Sequence, residues 1–177
     1  MRAVHPCELP PAALLGRYGG GVGFTDCYAC DVAGPVSQAA YVEAFYTTPL
    51  FRLERMVLAW LAGRASSDAD VRRLALGTAP SFSAWQVEQR CNDQLLLADM
   101  TGRTRSWLMT APGPDGGTRL YFGSAVLPII DRASGRPTLG ARFRALLGFH
   151  RVYSRLLLSA ARSRLVRRGA QRPGDAA

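Results

Sequence analysis

The chain has 177 residues, enough for one domain with a sizeable core, and its 48% hydrophobic and 20% charged content is that of a globular rather than a disordered protein. The net charge is +9 and all 22 basic residues are arginine, which excludes a Schiff-base lysine, a lysine-bound pyridoxal cofactor and a Walker-type phosphate lysine. No apolar run approaches the roughly 20 residues of a membrane span, and residues 1–11 lack the apolar stretch of a signal peptide, so the expected address is cytoplasmic.

Residues 1–23 read as a flexible leader with Pro10-Pro11 and glycines at 19–21 and 23. Those glycines precede a strand instead of following one into a helix, the wrong order for a dinucleotide fingerprint. Phe24 to Val32 is the first predicted strand, broken by Gly34-Pro35. Ser37 then caps a helix to about Tyr46, with Ala40, Val42 and Phe45 among its apolar positions. Thr48-Pro49 starts a second helix, and Phe51, Met56, Val57, Trp60 and Leu61 give it an apolar side. Ser67 and Asp70 are spaced as a capping box for a short third helix that Gly77 ends.

The pattern then changes to strands over Phe82–Cys91, Gln94–Met100, Arg103–Ala111 and Thr118–Ile130. Asp99 and Gly102 stand at the first and fourth positions of a tight turn. Pro112 to Gly117 makes the next hairpin loop, and Asp131 to Pro137 leads into a long helix over Leu139–Arg168. Leu139, Phe143, Leu146, Leu147, His150, Ser154 and Leu157 recur on it at steps of three and four. Gly169 is its expected end, and residues 169–177 its disordered tail. The predicted fold is α+β: one domain over residues 24–168, with an antiparallel sheet gripping a long C-terminal helix and two or three short helices after the first strand.

The charge is local to that helix and its tail. From Arg132 onward eleven arginines stand against one acid, Asp175, whereas residues 1–131 hold eleven arginines and twelve acids. Arg144, Arg151, Arg155 and Arg162 mark a basic face that could dock on an anionic surface or simply be solvated. Because no aromatics interleave with those arginines, nucleic acid is the disfavoured partner.

Cys27 and Cys30 form a CxxC, but in a strand they point to opposite faces, and Cys7 and Cys91 supply no second pair for zinc. They read as structural thiols, and no metal or cofactor is implied. His150, one of two histidines, lies on the apolar stripe, where it is a general acid or base, a ligand contact, or a neutral core imidazole. His5 takes no role. Asp99, Arg103 and Arg105 make a second cluster. A three-residue hairpin loop sets Asp99 opposite Arg103, with Arg105 diagonal and Trp107 beyond, a face that could take an acidic head group or carry a cross-strand salt bridge. A two-residue Thr101-Gly102 loop moves Asp99 to the other face. There is no Gly-x-Ser-x-Gly elbow and no His-Glu-x-x-His helix.

The segments Phe45-Tyr-Thr-Thr-Pro-Leu-Phe51, Gly102-Arg-Thr-Arg-Ser-Trp-Leu108 and Leu147-Gly-Phe-His-Arg-Val-Tyr153, with the element order, resemble the helix-grip superfamily of START-like and polyketide-cyclase-like domains (SRPBCC). They are most similar to uncharacterised bacterial proteins at its margin. The resemblance covers residues 24 to 166 and implies a pocket between sheet and C-terminal helix for an apolar or amphiphilic small molecule. Tyr28, Trp85, Arg105, Trp107, Tyr121, His150 and Tyr153 are its expected lining, and core packing is the alternative for the aromatics. Some members of that superfamily are cyclases or other enzymes, so a cyclase- or hydratase-type reaction with His150 as acid or base is the alternative function. A four-strand run, shorter than the superfamily's usual six, implies a small or filled pocket.

Overall fold

A computed structural model describes residues 3–53, 56, 66–132 and 134–171. Seven strands form one antiparallel sheet: β1 (His5–Pro6), β2 (Phe24–Val32), β3 (Ser81–Phe82), β4 (Trp85–Arg90), β5 (Gln94–Asp99), β6 (Thr104–Pro112) and β7 (Thr118–Val126). The order across the sheet is β1-β2-β7-β6-β5-β4-β3, so β3 to β7 are a meander and β2 joins its last strand. Helices α1 (Gln38–Tyr46), α2 (Asp68–Ala75) and α3 (Ala141–Ala170) accompany it, and the fold is α+β with the long C-terminal helix packed on the sheet.

The local starts follow their capping chemistry. Ser37 accepts the Ala40 amide at the head of α1. Thr48 Oγ1 accepts the Phe51 amide, and helical backbone begins at Pro49. Ser67 and Asp70 form the reciprocal box of α2. Gly77 follows with φ +79°, and the Gly77 and Thr78 amides return to the Leu74 and Arg73 carbonyls, closing the helix end. Of the second predicted helix, Val57, Trp60 and Leu61 lie outside the described residues.

Alternation along the strands gives the sheet two buried faces. On the front, Tyr28, Cys30, Leu95, Leu97, Leu108, Leu120 and Phe122 meet Tyr41, Phe45 and Tyr46 of α1, Leu74 of α2, and Leu157, Leu158 and Ala161 of α3. On the back, Cys27, Leu96, Trp107, Met109 and Ala125 meet Ala13 and Leu15. The run Leu95-Leu96-Leu97 is apolar throughout because its strand is covered on both sides.

That second cover corrects the reading of residues 1–23 as a flexible leader. Residues 14–18 form a 3-10 helix with Leu15 fully buried against the sheet. Gln94 holds the segment by accepting the Leu14 amide at 2.9 Å and donating to the Ala12 carbonyl at 3.0 Å. Its Oε1 also takes the Trp107 indole N–H at 2.9 Å. Gly123 leaves the space: a Cβ there would stand 2.7 Å from a Leu15 methyl, 2.9 Å from the Asp26 carbonyl and 3.0 Å from the Trp107 ring.

Other boundaries shift for identifiable reasons. The predicted strand Phe82–Cys91 is cut at Ser83, whose φ is +54°. The strand from Thr118 ends at Val126, before Pro128, which has no amide to donate. Ile129–Ile130 (β8) pairs instead with Pro137–Thr138 (β9). Leu139 precedes α3, which starts after Gly140 at φ +82°. Gly169 keeps a negative φ and stays in the helix, which runs on to Ala170 before capping at Gln171; residues 172–177 lie outside the described ones. Leu146, expected on the buried stripe, is 58% exposed at its edge.

Candidate functional site

Three polar side chains line up across the front of the sheet. Asp26 pairs with Ser124, and Ser124 with Ser106, on adjacent strands β2, β7 and β6. Ser106 bonds to the Tyr46 hydroxyl at 3.0 Å. Ser124 gives both its amide, at 3.1 Å, and its hydroxyl, at 2.6 Å, to Asp26 Oδ1. Helix α3 lowers His150 onto this row, with Nε2 at 2.8 Å from Ser124 Oγ and 3.5 Å from Asp26 Oδ2.

The donors decide what this cluster can do. Ser124 has one hydroxyl proton, and it points at the carboxylate, so Ser124 Oγ accepts and His150 Nε2 carries a proton. A nucleophilic serine needs the reverse, a histidine nitrogen free to take its proton and a carboxylate on the far ring nitrogen. Here serine and aspartate share the same side of the ring. The arrangement makes His150 an oriented donor rather than a base for Ser124. Asp26 Oδ2 is buried, and no hydrogen bond of good geometry reaches it among the described residues. Phe24 meets the imidazole edge-on at 5.7 Å, and Phe143 lies at 6.1 Å. Burial, and then the Asp26 charge, push the Tyr28 hydroxyl pKa up.

His150 also touches an open groove of about 400 Å³ between the β5–β6 hairpin and the first half of α3. Asp99, Thr101, Arg103 and Thr104 form one wall, Phe143, Leu146, Phe149 and Tyr153 the other, and Val126 lies between them. Phe149 and Tyr153 stack at 5.8 Å. Arg103 reaches the Leu139 carbonyl with Nη2 at 3.4 Å, while its Nε is buried without a hydrogen-bond partner among the described residues. Deeper in, the grip is filled by Phe45, Tyr46, Phe51, Phe82 and Phe122, whose rings pack at 4.8–6.4 Å.

The structure divides the expected lining between the two faces of the sheet. Tyr28, Trp85 and Tyr153 pack with the front core, where His150 also sits, whereas Trp107 and Tyr121 belong to the back cluster. Arg105 is also on the back, paired with Glu88 and bonded to the Tyr18 hydroxyl. Arg105 shares the period-two face of Trp107 and Met109, and the hairpin register separates Asp99 from it. Ala98 faces Arg105, so Asp99 falls opposite Thr104 rather than Arg103. Asp99 Oδ1 instead accepts the Arg103 and Thr104 amides at 2.8 and 3.0 Å. Arg103, not Arg105, lines the groove.

Cys27 and Cys30 do face opposite sides of β2, the one in the back cluster and the other in the front core. Of the arginine row, Arg151 lies 6.0 Å above the Phe24 ring, Arg155 lies 5.5 Å above the Tyr28 ring, and Arg162 Nε donates to the Asp31 carbonyl at 3.1 Å. The Arg144 side chain lies outside the described residues. Asp26 and Ser124 were not anticipated beside His150, and Arg103 was anticipated only as part of the cluster with Asp99 and Arg105. The available signal for the first two was polarity at positions that share the period-two face of Tyr28 and Phe122.

An antiparallel sheet holding a long terminal helix, with a groove at one end of the grip, is a helix-grip-like shape. Comparison with protein families and with curated proteins returned no match. Among the described residues no helix is long and apolar enough to cross a membrane.

Proposed function

We propose that this chain binds an amphiphilic small molecule with an acidic head group in the groove between α3 and the β5–β6 hairpin. The observation that carries the reading is the groove's mixed lining. Phe143, Phe149 and Tyr153 offer an apolar wall, while Arg103, whose Nε has no partner among the described residues, and His150 stand within it. A carboxylate or sulfonate satisfies the guanidinium, and the apolar body covers exposed aromatic surface. Asp99 is turned to its own hairpin, its Oδ1 engaged by two backbone amides and its Oδ2 by the Thr101 hydroxyl, and makes no ion pair with Arg103 among the described residues.

Fluorescence titration with 1-anilinonaphthalene-8-sulfonate, competed by oleate, tests the reading. Arg103→Ala and His150→Ala are each expected to weaken the probe about tenfold, the equivalent of roughly 1.4 kcal/mol. Titrations unchanged in both variants would overturn it.

A further inference from the structure

β1 and β2 pair with His5 opposite Ala29 and Pro6 opposite Tyr28, so the next step sets Cys7 opposite Cys27. The Cys7 amide donates to the Cys27 carbonyl at 3.0 Å, which continues the ladder through that step. Both side chains turn to the back face, and their sulfurs lie 3.3 Å apart. A disulfide spans about 2.05 Å, so bond formation needs an approach of only about 1.3 Å. Cys30 points to the opposite face, and Cys91 follows β4, near the other edge of the sheet. Neither competes for either partner.

We propose that Cys7 and Cys27 are a redox pair whose cross-strand disulfide latches the N-terminal segment onto the back of the sheet. The two thiols are unequal in a useful way. Cys27 is 5% exposed, whereas Cys7 is only half-buried and reachable from solvent. The contact with the Cys27 sulfur at 3.3 Å lowers the Cys7 pKa and favours the thiolate at the accessible position.

With oxidised glutathione as oxidant, the Cys7 thiolate attacks one glutathione sulfur, forms a mixed disulfide and releases one glutathione thiolate. Cys27 loses its proton to solvent and attacks the Cys7 sulfur, which expels the second glutathione. Two protein thiols are oxidised to one disulfide, and one glutathione disulfide is reduced to two thiols. The closed loop from Cys7 to Cys27 holds Ala13 and Leu15, which cover Trp107. Oxidation would therefore fix the back cover without touching the groove on the front.

The test uses the full chain with Cys30→Ser, because trypsin leaves Cys27 and Cys30 on one peptide, residues 18–52, and Cys7 on residues 3–17. After equilibration with oxidised glutathione, free thiols are blocked with N-ethylmaleimide and the digest is read by mass spectrometry. The expected product is the 3–17/18–52 cross-link, lighter by two hydrogens than the summed peptides and absent after Cys7→Ser. Cys27→Ser should instead accumulate glutathione on Cys7. The oxidised protein should melt several degrees above the reduced one, a shift that Cys7→Ser removes. Blocked, unlinked Cys7 under oxidation would overturn the proposal. So would linkage of Cys7 to Cys91, or an unchanged melting temperature.

Discussion

Trp107 and Ser124 stand on neighbouring strands of one sheet, buried to 0% and 3% exposure on opposite faces, yet their surroundings are closed by different means. Behind the sheet, Gln94 ties the indole N–H to the backbone of residues 12 and 14, so each of those polar atoms ends in a hydrogen bond. In front, the helix covers the row from Asp26 to Ser106 but leaves Asp26 Oδ2, 3.5 Å from His150 Nε2, and Ser154 Oγ buried without a hydrogen-bond partner among the described residues. Buried polar groups are costly when unmatched, so a closed face matches them and an unmatched one marks where the fold has served something besides stability. The back is thus a structural seam, and the unmatched atoms at the front end of the grip support the groove as the proposed binding site.

Trp107→Ala is expected to give the largest effect that separates the two. It removes a fully buried ring and one of the bonds to Gln94, at a cost of about 3–5 kcal/mol. Urea denaturation should show that loss, while probe titration below the transition should show a groove of unchanged affinity. A groove that fails together with the seam would mean that the faces are one unit.

What could be read from the sequence divides along the same line. Ser37, the Ser67–Asp70 box and the Pro49 helix start were legible because each acts on residues within four positions. The strands were legible as runs between turn residues, and so was the front stripe of the long helix from Phe143 to Leu157, Leu146 excepted. The back seam was not, because Leu14 meets Gln94 across 80 positions and Leu15 fits only where Gly123 leaves room. Proline and glycine density reads as looseness until the surface beneath it is known. The site was half legible. His150 stood out by rarity and by its place on the helix, whereas Ser124 and Asp26 meet across 98 positions. One residue of hairpin register put Asp99 on the face opposite Arg105, and Arg103 lines the groove from the turn, outside the strand that starts at Thr104.

A smaller, pH-dependent effect comes from the front face. Burial pushes the Cys30 thiol up to about 12 from its ordinary 9.0, with Arg162 opposing and Asp31 adding to the rise. Between those values the unfolded chain has lost this proton and the folded chain retains it. The folded state binds more protons there, so the contribution is intact below pH 9 and is lost as pH rises toward 12. The slope is at most about 1.4 kcal/mol per pH unit for this one group. Cys30→Ala should flatten the alkaline limb of a plot of urea midpoint against pH. An equally steep limb in the variant would assign the alkaline loss to other groups.

The smallest stability effect should come from the groove wall itself. Phe149 is 66% exposed and its main partner is the stacked Tyr153 ring, so Phe149→Ala should change stability by no more than about 0.5 kcal/mol. The same substitution removes half of the aromatic stack and should weaken probe binding severalfold. A residue that contributes little to folding and much to binding is what an open apolar wall predicts, and calorimetry of this variant with and without the probe separates the two quantities. A stability loss as large as that of a buried phenylalanine would instead make Phe149 part of the core. The groove would then be a packing feature of the helix, and the contrast between the two faces would reduce to the seam alone.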